Sequence, residues 1–325
     1  MEAANVTAPA FGTTAGEWTV LALARGEYYA ADATYFSGYY DRIVAYVDET
    51  AGAVTAPAGA LSQNKSTDNS RLILALSAIG KNARAVGDWD LVAPYEDFDW
   101  IGKQGINGVI YALLALDSHN YQTQNSEIRS RCADYLIDKQ LADGGWALFG
   151  TEADPDITAV ALQALAPYRS QAKVAAAAEK ALARLSALQG QDGGFASWGT
   201  ANAESCAQVI IACTAWGINP DTDERFIKNN ASALDALLSY YVADAAGFAH
   251  MADGGVNAMA TDQACLALVA YQRLINGKTA LYDCRDVSFE ENGAAQSGAP
   301  RAMLITVLSP LALFFFLCIT ASTIH

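Results

Sequence analysis

Two aspartates stand two residues apart in the run Asp154-Pro155-Asp156-Ile157-Thr158-Ala159, at the entry to an apolar stretch. Carboxyls placed this way have two quite different uses. Held in an apolar cavity with a raised pKa, such a group is a general acid that hands a proton to a substrate. Set in the first turn of a helix, it accepts free backbone N–H groups, meets the positive dipole end, and its pKa falls. A second constellation, Glu204-Ser205-Cys206, offers a carboxylate and a thiol of metal-ligand type. Two ligands do not make a zinc site, and the chain has only three histidines, His119, His250 and His325.

The elements that must position these residues repeat. Gln140–Trp146 reads QLADGGW and Gln189–Phe195 reads QGQDGGF, both Q-x-x-D-G-G-aromatic, with a looser copy, YVADAAGF, ending at Phe248. After each comes a polar loop and an apolar stretch: DPDITAVALQALAPY, AESCAQVIIACTAWG and ATDQACLALVAYQRL. Three earlier stretches, GEWTVLALARG, TDNSRLILALSAIG and GINGVIYALLALDS, lack the full glycine turn. The six are roughly 37 to 54 residues apart, the period of helical-pair repeats. Each is apolar nearly all round, which predicts helices buried on all sides.

The segments between them are amphipathic. QAKVAAAAEKALARLSALQ puts Val174, Ala181, Leu185 and Leu188 on one face and turns Lys173, Lys180 and Arg184 outward. Buried helices alternating with amphipathic ones predict two concentric rings, an all-α single α/α toroid of α6/α6 type. An open solenoid would leave its inner helices one wet face, so closure is favoured. Gly144–Gly145 and Gly193–Gly194 are expected to end outer helices at positive φ, where glycine is tolerated. Trp146 and Phe195 are expected to fill the wedge between layers. Asp156, Glu204 and Asp262 are expected in the first turns of inner helices. On that reading Asp156 has a lowered pKa, and Asp156→Asn costs roughly 0.5–2 kcal/mol on capping precedent.

Composition bounds the function. Hydrophobic residues are 52% and charged ones 17% of 325, enough for a large core and too few charges for general disorder. A net charge of -15 argues against nucleic acid as partner, since nothing would neutralise phosphates. Six cysteines, at 132, 206, 213, 265, 284 and 318, form no CxxC pair and no disulfide framework. The first residues carry no signal-peptide pattern, and no outer helix precedes the first apolar stretch. The natural N-terminus is therefore expected to be unrepresented. The expected domains are a toroid over 1–287, a polar linker over 288–301 and an apolar segment over 302–321. Ala302–Ala321 is twenty residues without a charge, the length of a bilayer span, so a membrane anchor is expected there. A buried terminal helix is the alternative.

The glycine turns feeding apolar helices resemble the toroids of terpenoid cyclases and protein prenyltransferases, with which cobalamin carriers of the transcobalamin type share the barrel. Bacterial surface proteins carrying this toroid as a repeat domain are similar too. The resemblance covers about residues 12 to 287 and implies a fold more specifically than an activity. Class II cyclases protonate an alkene with the middle Asp of D-x-D-D-T-A; here Asp156 takes that place, with Asp154 before it, and Ile157 replaces the last Asp. In prenyltransferases a D-x-C element and a histidine hold zinc; the matching residues are Glu204-Ser205-Cys206 and Thr261. No metal and no cofactor is expected.

The resemblance to carriers implies a non-catalytic ligand-binding or interaction module, on an extracellular or cell-surface protein. A small hydrophobic or amphipathic molecule would sit at the inner-helix N-terminal mouth of the barrel. The candidate lining is Glu17, Asp68, Asn107, Tyr111, Trp146, Asp156, Trp198, Glu204, Phe248 and Asp262. The chain lacks the small β domain with which cobalamin carriers cover that mouth. The alternatives are a cyclase-like or prenyltransferase-like enzyme with Asp156 as acid, and a structural or adhesion repeat.

Overall fold

All six apolar stretches are helices in a computed structural model of the chain, which describes residues 8–13, 16–27, 34–55 and 57–289. They are α1 (Glu17–Arg25), α3 (Ser66–Ala78), α5 (Gly105–Ser118), α7 (Pro155–Leu165), α9 (Ala203–Ala215) and α11 (Ala258–Ile275). The amphipathic segments between them form α2 (Tyr35–Ala51), α4 (Phe98–Gly102), α6 (Ile128–Asp138), α8 (Ala172–Leu188) and α10 (Ala233–Ser239). Each inner helix packs on the next, and α11 packs on α1. The ring is closed. Inner helices alternate with outer ones and so all run the same way, which gathers their N-termini at one mouth.

The outer helices bury the faces their patterns imply. On α8, Val174, Ala177, Ala178, Ala181 and Leu185 are buried while Lys173 and Lys180 are exposed. On α2, Tyr39, Ile43 and Val47 recur four residues apart and are fully buried. Short two-residue hairpins fill the loops before α9, α10 and α11: β1 (Ala196–Ser197) with β2 (Thr200–Ala201), β3 (Ile227–Lys228) with β4 (Ala231–Ser232), and β5 (Tyr241–Val242) with β6 (Gly247–Phe248).

The repeated Q-x-x-D-G-G-aromatic turn is a strap between neighbours in the ring. Gln140 Nε2 donates to Gly144 O at 2.7 Å and to Ala177 O on the next outer helix at 2.7 Å. Gln189 Nε2 does the same to Gly193 O at 2.9 Å and Phe226 O at 2.8 Å. The aspartate closes the turn, with Asp143 Oδ1 accepting from Gly145 N at 3.2 Å and Asp192 Oδ1 from Gly194 N at 3.0 Å. Trp146 is buried between layers, its Nε1 donating to Leu136 O at 2.7 Å, and Phe195 is buried likewise. The two glycines of each pair differ, against expectation. Gly144 (φ 96°) and Gly193 (φ 81°) are left-handed, whereas Gly145 and Gly194 are not. Gly145 is required by close approach: a Cβ there would collide with Ala153 Cβ and stand 2.6 Å from Thr158 Oγ1. In the looser copy, Ala246 (φ 49°) takes the left-handed place.

The chain beyond α11 returns beneath the barrel. Residues 279–289 cross the C-terminal ends of α1, α3, α5 and α11. Two buried arginines hold them. Arg25, at the end of α1, donates from Nε to Leu281 O at 2.9 Å, from Nη1 to Asp286 Oδ1 at 2.7 Å, and from Nη2 to Thr279 Oγ1 at 2.8 Å, Ala280 O at 3.2 Å and Asp283 O at 2.7 Å. Arg273 of α11 takes the other Asp286 oxygen at 2.7 Å and the Arg25 carbonyl at 2.9 Å. Further along, Cys284 N donates to Ser118 O at 2.7 Å and the His119 ring stacks on Phe289.

Among the described residues no helix is long and apolar enough to cross a membrane; the expected anchor, Ala302–Ala321, lies outside them, as do Cys318 and His325. The five described cysteines are free thiols.

Candidate functional site

Helix phase decides what the mouth presents. In α7, Thr158 points outward, its hydroxyl accepting from Trp146 N at 2.9 Å. Asp156, two residues earlier and so about 200° round the helix, points into the lumen, with Val160 and Gln163 below it. The cap is Asp154: its carboxylate accepts from Ile157 N at 3.0 Å and from Ser197 Oγ at 2.5 Å. The expected roles of the pair are thereby split. Asp156 lies in the first turn of α7 as expected but is not the carboxylate that caps the helix; its Oδ1 is buried, with the Ser205 and Ser197 hydroxyls beside the carboxyl. Ser205 Oγ, buried on the neighbouring α9, lies within hydrogen-bonding reach of that carboxyl and favours its charged form.

The pKa expected for Asp156 is corrected accordingly. Burial pushes it up to about 6; the Ser205 hydroxyl opposes this, and the Asp154 and Glu204 carboxylates add to it. The consequence for stability has a definite sign. Below pH 3.8 the carboxyl is protonated both folded and unfolded, and its contribution is at its most favourable. As pH rises from there through about 6, the folded chain gives up the proton less readily than the unfolded chain, and up to about 3 kcal/mol is lost. Asp156→Asn should therefore be the more stable protein at pH 7.5, with no such gain at pH 4. Urea midpoints of both proteins at both pH values check this; a variant less stable at pH 7.5 would restore the capping role.

The other inner helices contribute unequally. α5 keeps Asn107 and Tyr111 partly accessible on one face, while the residues between them are buried. The Tyr111 ring lies with its centroid 6.3 Å from that of Trp18 on α1. Since α3 stands between α1 and α5 in the ring, this contact crosses the barrel's inner space. Trp18 is thus the lumen residue of α1. Glu17 turns the other way, toward Tyr39 of α2, buried, with Gly12 N donating to its oxygens at 3.3 and 3.2 Å and Arg71 4.0 Å off. Burial raises its pKa to about 7, against the pull of Arg71. Asp68 pairs with Arg71 at 2.9 Å.

On α9, Glu204 meets His250 Nδ1 at 2.8 Å, while Cys206 points outward, buried, its thiol pushed up to about 12 by burial. The two cannot ligate one ion. Among the described residues no group of three or more metal-binding side chains gathers anywhere. Asp262 is not in a first turn, because α11 starts at Ala258 with Asn257 as its cap. Its carboxylate instead receives the Thr19 hydroxyl, tying α11 to α1. Thr261 holds Phe248 N at 3.0 Å, just as Thr158 holds Trp146. Trp146 and Phe248, expected near a ligand, are buried behind the inner ring and have no surface to offer one.

The mouth opens between apolar tips. Phe149 and Trp198 are 77% and 80% exposed, on the loops before α7 and α9, and Trp198 is held at φ 52°. The sequence does not single out Trp18 or the amide chain of Gln163, Gln208 and Gln263 across α7, α9 and α11. Only Trp18 left a signal, as the neighbour of the carboxylate that was chosen.

No family model matches the chain, and neither does any curated protein. Among solved structures it is similar to ent-copalyl diphosphate synthase from Streptomyces platensis, at a TM-score of 0.52 and 23% identity over 77% of this chain and 49% of that one. The chain thus spans about half the length of that protein. At such identity the likeness speaks to architecture alone, and the architecture is a terpenoid-cyclase-like α/α toroid.

Proposed function

We propose that the chain binds an apolar or amphipathic small molecule at the inner-helix N-terminal mouth of its barrel, with Asp156 as the polar group the molecule meets. The observation that carries this is the Asp156 carboxyl on the lumen face of α7, its Oδ1 buried, with the Tyr111 ring of the neighbouring α5 set against Trp18. Burying a carboxyl away from water is costly unless another group pairs with it. A concave apolar site with few convergent polar groups is the usual form of a small-molecule site. Titration with N-phenyl-1-naphthylamine, a neutral fluorescent probe, should give saturable one-to-one binding. Asp156→Arg, which lays a long charged side chain across the mouth, should weaken it at least about tenfold. Non-saturating uptake, or binding indifferent to that variant, would remove the reading.

The pKa of about 6 favours one second reading, in which Asp156 donates a proton as the acid of class II cyclases does. Ile157, where those enzymes have a further aspartate, stands against it. Incubation with squalene and shorter polyprenyl substrates decides. Cyclised product that disappears in Asp156→Asn would make the chain an enzyme, and substrates returned unchanged would leave it a binding module.

A further inference from the structure

The exposed apolar side chains are not scattered. Among the described residues six large ones are exposed, and five stand at the mouth: Leu148 and Phe149 on the loop before α7, Trp198 before α9, Met251 before α11 and Met259 in its first turn. The sixth, Ile275, lies at the other end of α11. A single exposed hydrophobe carries no meaning, whereas a contiguous group marks an interaction surface. The three loops are laced together. Ser197 Oγ donates to Asp154 Oδ2 at 2.5 Å, Ala203 N donates to His250 O at 3.1 Å, and His250 Nδ1 meets Glu204 Oε2 at 2.8 Å. Beneath them α9 packs on both α7 and α11. The apolar tips therefore form one arc over three neighbouring inner helices.

Trp198 is presented at a conformational cost. It and Gly199 make the two-residue turn between β1 and β2, at φ 52° and 80°. Such a turn favours Asn-Gly, and a bulky residue in its first place is held against its preference. The ring gains no burial in return. Charge then selects what the arc can meet. The stretches Gln140–Leu165, Gln189–Ala215 and Tyr240–Gln272 contain no lysine or arginine. Glu152, Asp192, Asp244 and Asp253 are exposed on their loops. Of the cations on the adjoining outer helices, Arg184 is paired with Asp143 at 3.1 Å and Lys139 lies over the Tyr135 ring. A surface apolar at its tips and acidic between them repels an anionic membrane and a second copy of itself. It suits apolar residues flanked by cations. Its extent suits a helix: packed helices stand about 8–10 Å apart, so three tips span about 20 Å, the length of three to four helical turns.

We propose that this arc docks a basic amphipathic helix of a partner protein, its apolar face on Phe149 and Trp198 and its lysines or arginines beside the loop carboxylates. Exposed tryptophan is the side chain that most often anchors such contacts. Docking of this kind needs no molecule in the lumen and stands apart from the binding reading above.

The test titrates the full chain into a fluorescein-labelled peptide of leucine and lysine in helical period, about 18 residues long so that it can form a helix. A counterpart carries glutamate in place of lysine. At physiological ionic strength the lysine peptide should bind saturably, one to one, and at least about tenfold more tightly than the glutamate peptide. With the unlabelled lysine peptide, tryptophan emission of the chain should shift to the blue as Trp198 leaves water. Phe149→Ser/Trp198→Asn should weaken the lysine peptide at least about tenfold and abolish the emission shift. The thermal midpoint should hold, since neither side chain is buried and asparagine suits the turn. Binding that survives the double variant would be bulk charge attraction and would overturn the docking, as would equal affinity for the two peptides or affinity for neither. Pelleting of the native chain with phosphatidylcholine vesicles, or its dimerisation in sedimentation, would overturn it too if the double variant abolished either, by assigning the arc to a lipid surface or to a second copy.

Discussion

Replacing Arg25 by alanine should cost about 3–5 kcal/mol, among the largest losses available to a single substitution in this fold. The side chain is 2% exposed and directs all its donors at one segment: the carbonyls of Ala280, Leu281 and Asp283, the hydroxyl of Thr279 and the carboxylate of Asp286. Truncation leaves those acceptors facing a void and leaves Arg273 as the remaining cation on Asp286. Lysine should rescue little, since three donors on a point charge cannot reproduce a planar fork. The loss has a local signature. Amide exchange in residues 279–289 should accelerate more than in α7 or α9, because Arg25 is the main tie between that segment and the start of the ring. Urea denaturation with exchange read by mass spectrometry measures both. A loss under about 1 kcal/mol would show that the segment holds without its arginine.

Gly193→Val should cost more than about 3 kcal/mol, and Gly194→Ala far less. Gly193 has φ 81°, a conformation strongly disfavoured for a β-branched residue. A Cβ there would also strike the Ser232 carbonyl oxygen and stand 3.0 Å from Ala231 O. Ser232 is itself the cap of α10, its hydroxyl accepting from Asp235 N at 3.0 Å while Asp235 accepts from Ser232 N at 2.9 Å. The collision therefore pushes on the next outer helix as well as on its own turn. At Gly194 φ is not left-handed, and the nearest atom to an added Cβ is Asp192 Oδ1 at 3.3 Å. Thermal melts of the two variants should differ clearly. Equal shifts would mean that the glycines act as an interchangeable pair, as the sequence motif suggests.

The layers were readable from sequence because they follow from composition alone. A stretch apolar on every side, such as GVIYALLAL in α5, has to be surrounded, and an amphipathic one such as α8 has to cover it. Alternating the two leaves a double ring as the economical solution. The Q-x-x-D-G-G-aromatic turns were readable for a similar reason: a side-chain strap, a turn and a wedge are local chemistry. The uniform apolarity that betrayed the inner helices also hid their orientation. With no polar stripe to set the phase, an error of one residue in the helix start rotates every side chain by about 100°. Asp156 stands in the first turn of α7 as expected, yet its phase turns it into the lumen while Asp154 takes the cap, and Trp18 faces the lumen where Glu17 turns against the outer layer. Tertiary structure alone decided the rest. Arg25 meets its partners more than 250 residues further on, in a segment with no periodicity of its own. Such contacts are fixed by closure of the ring, which brings α1 beside α11, and no local pattern encodes them.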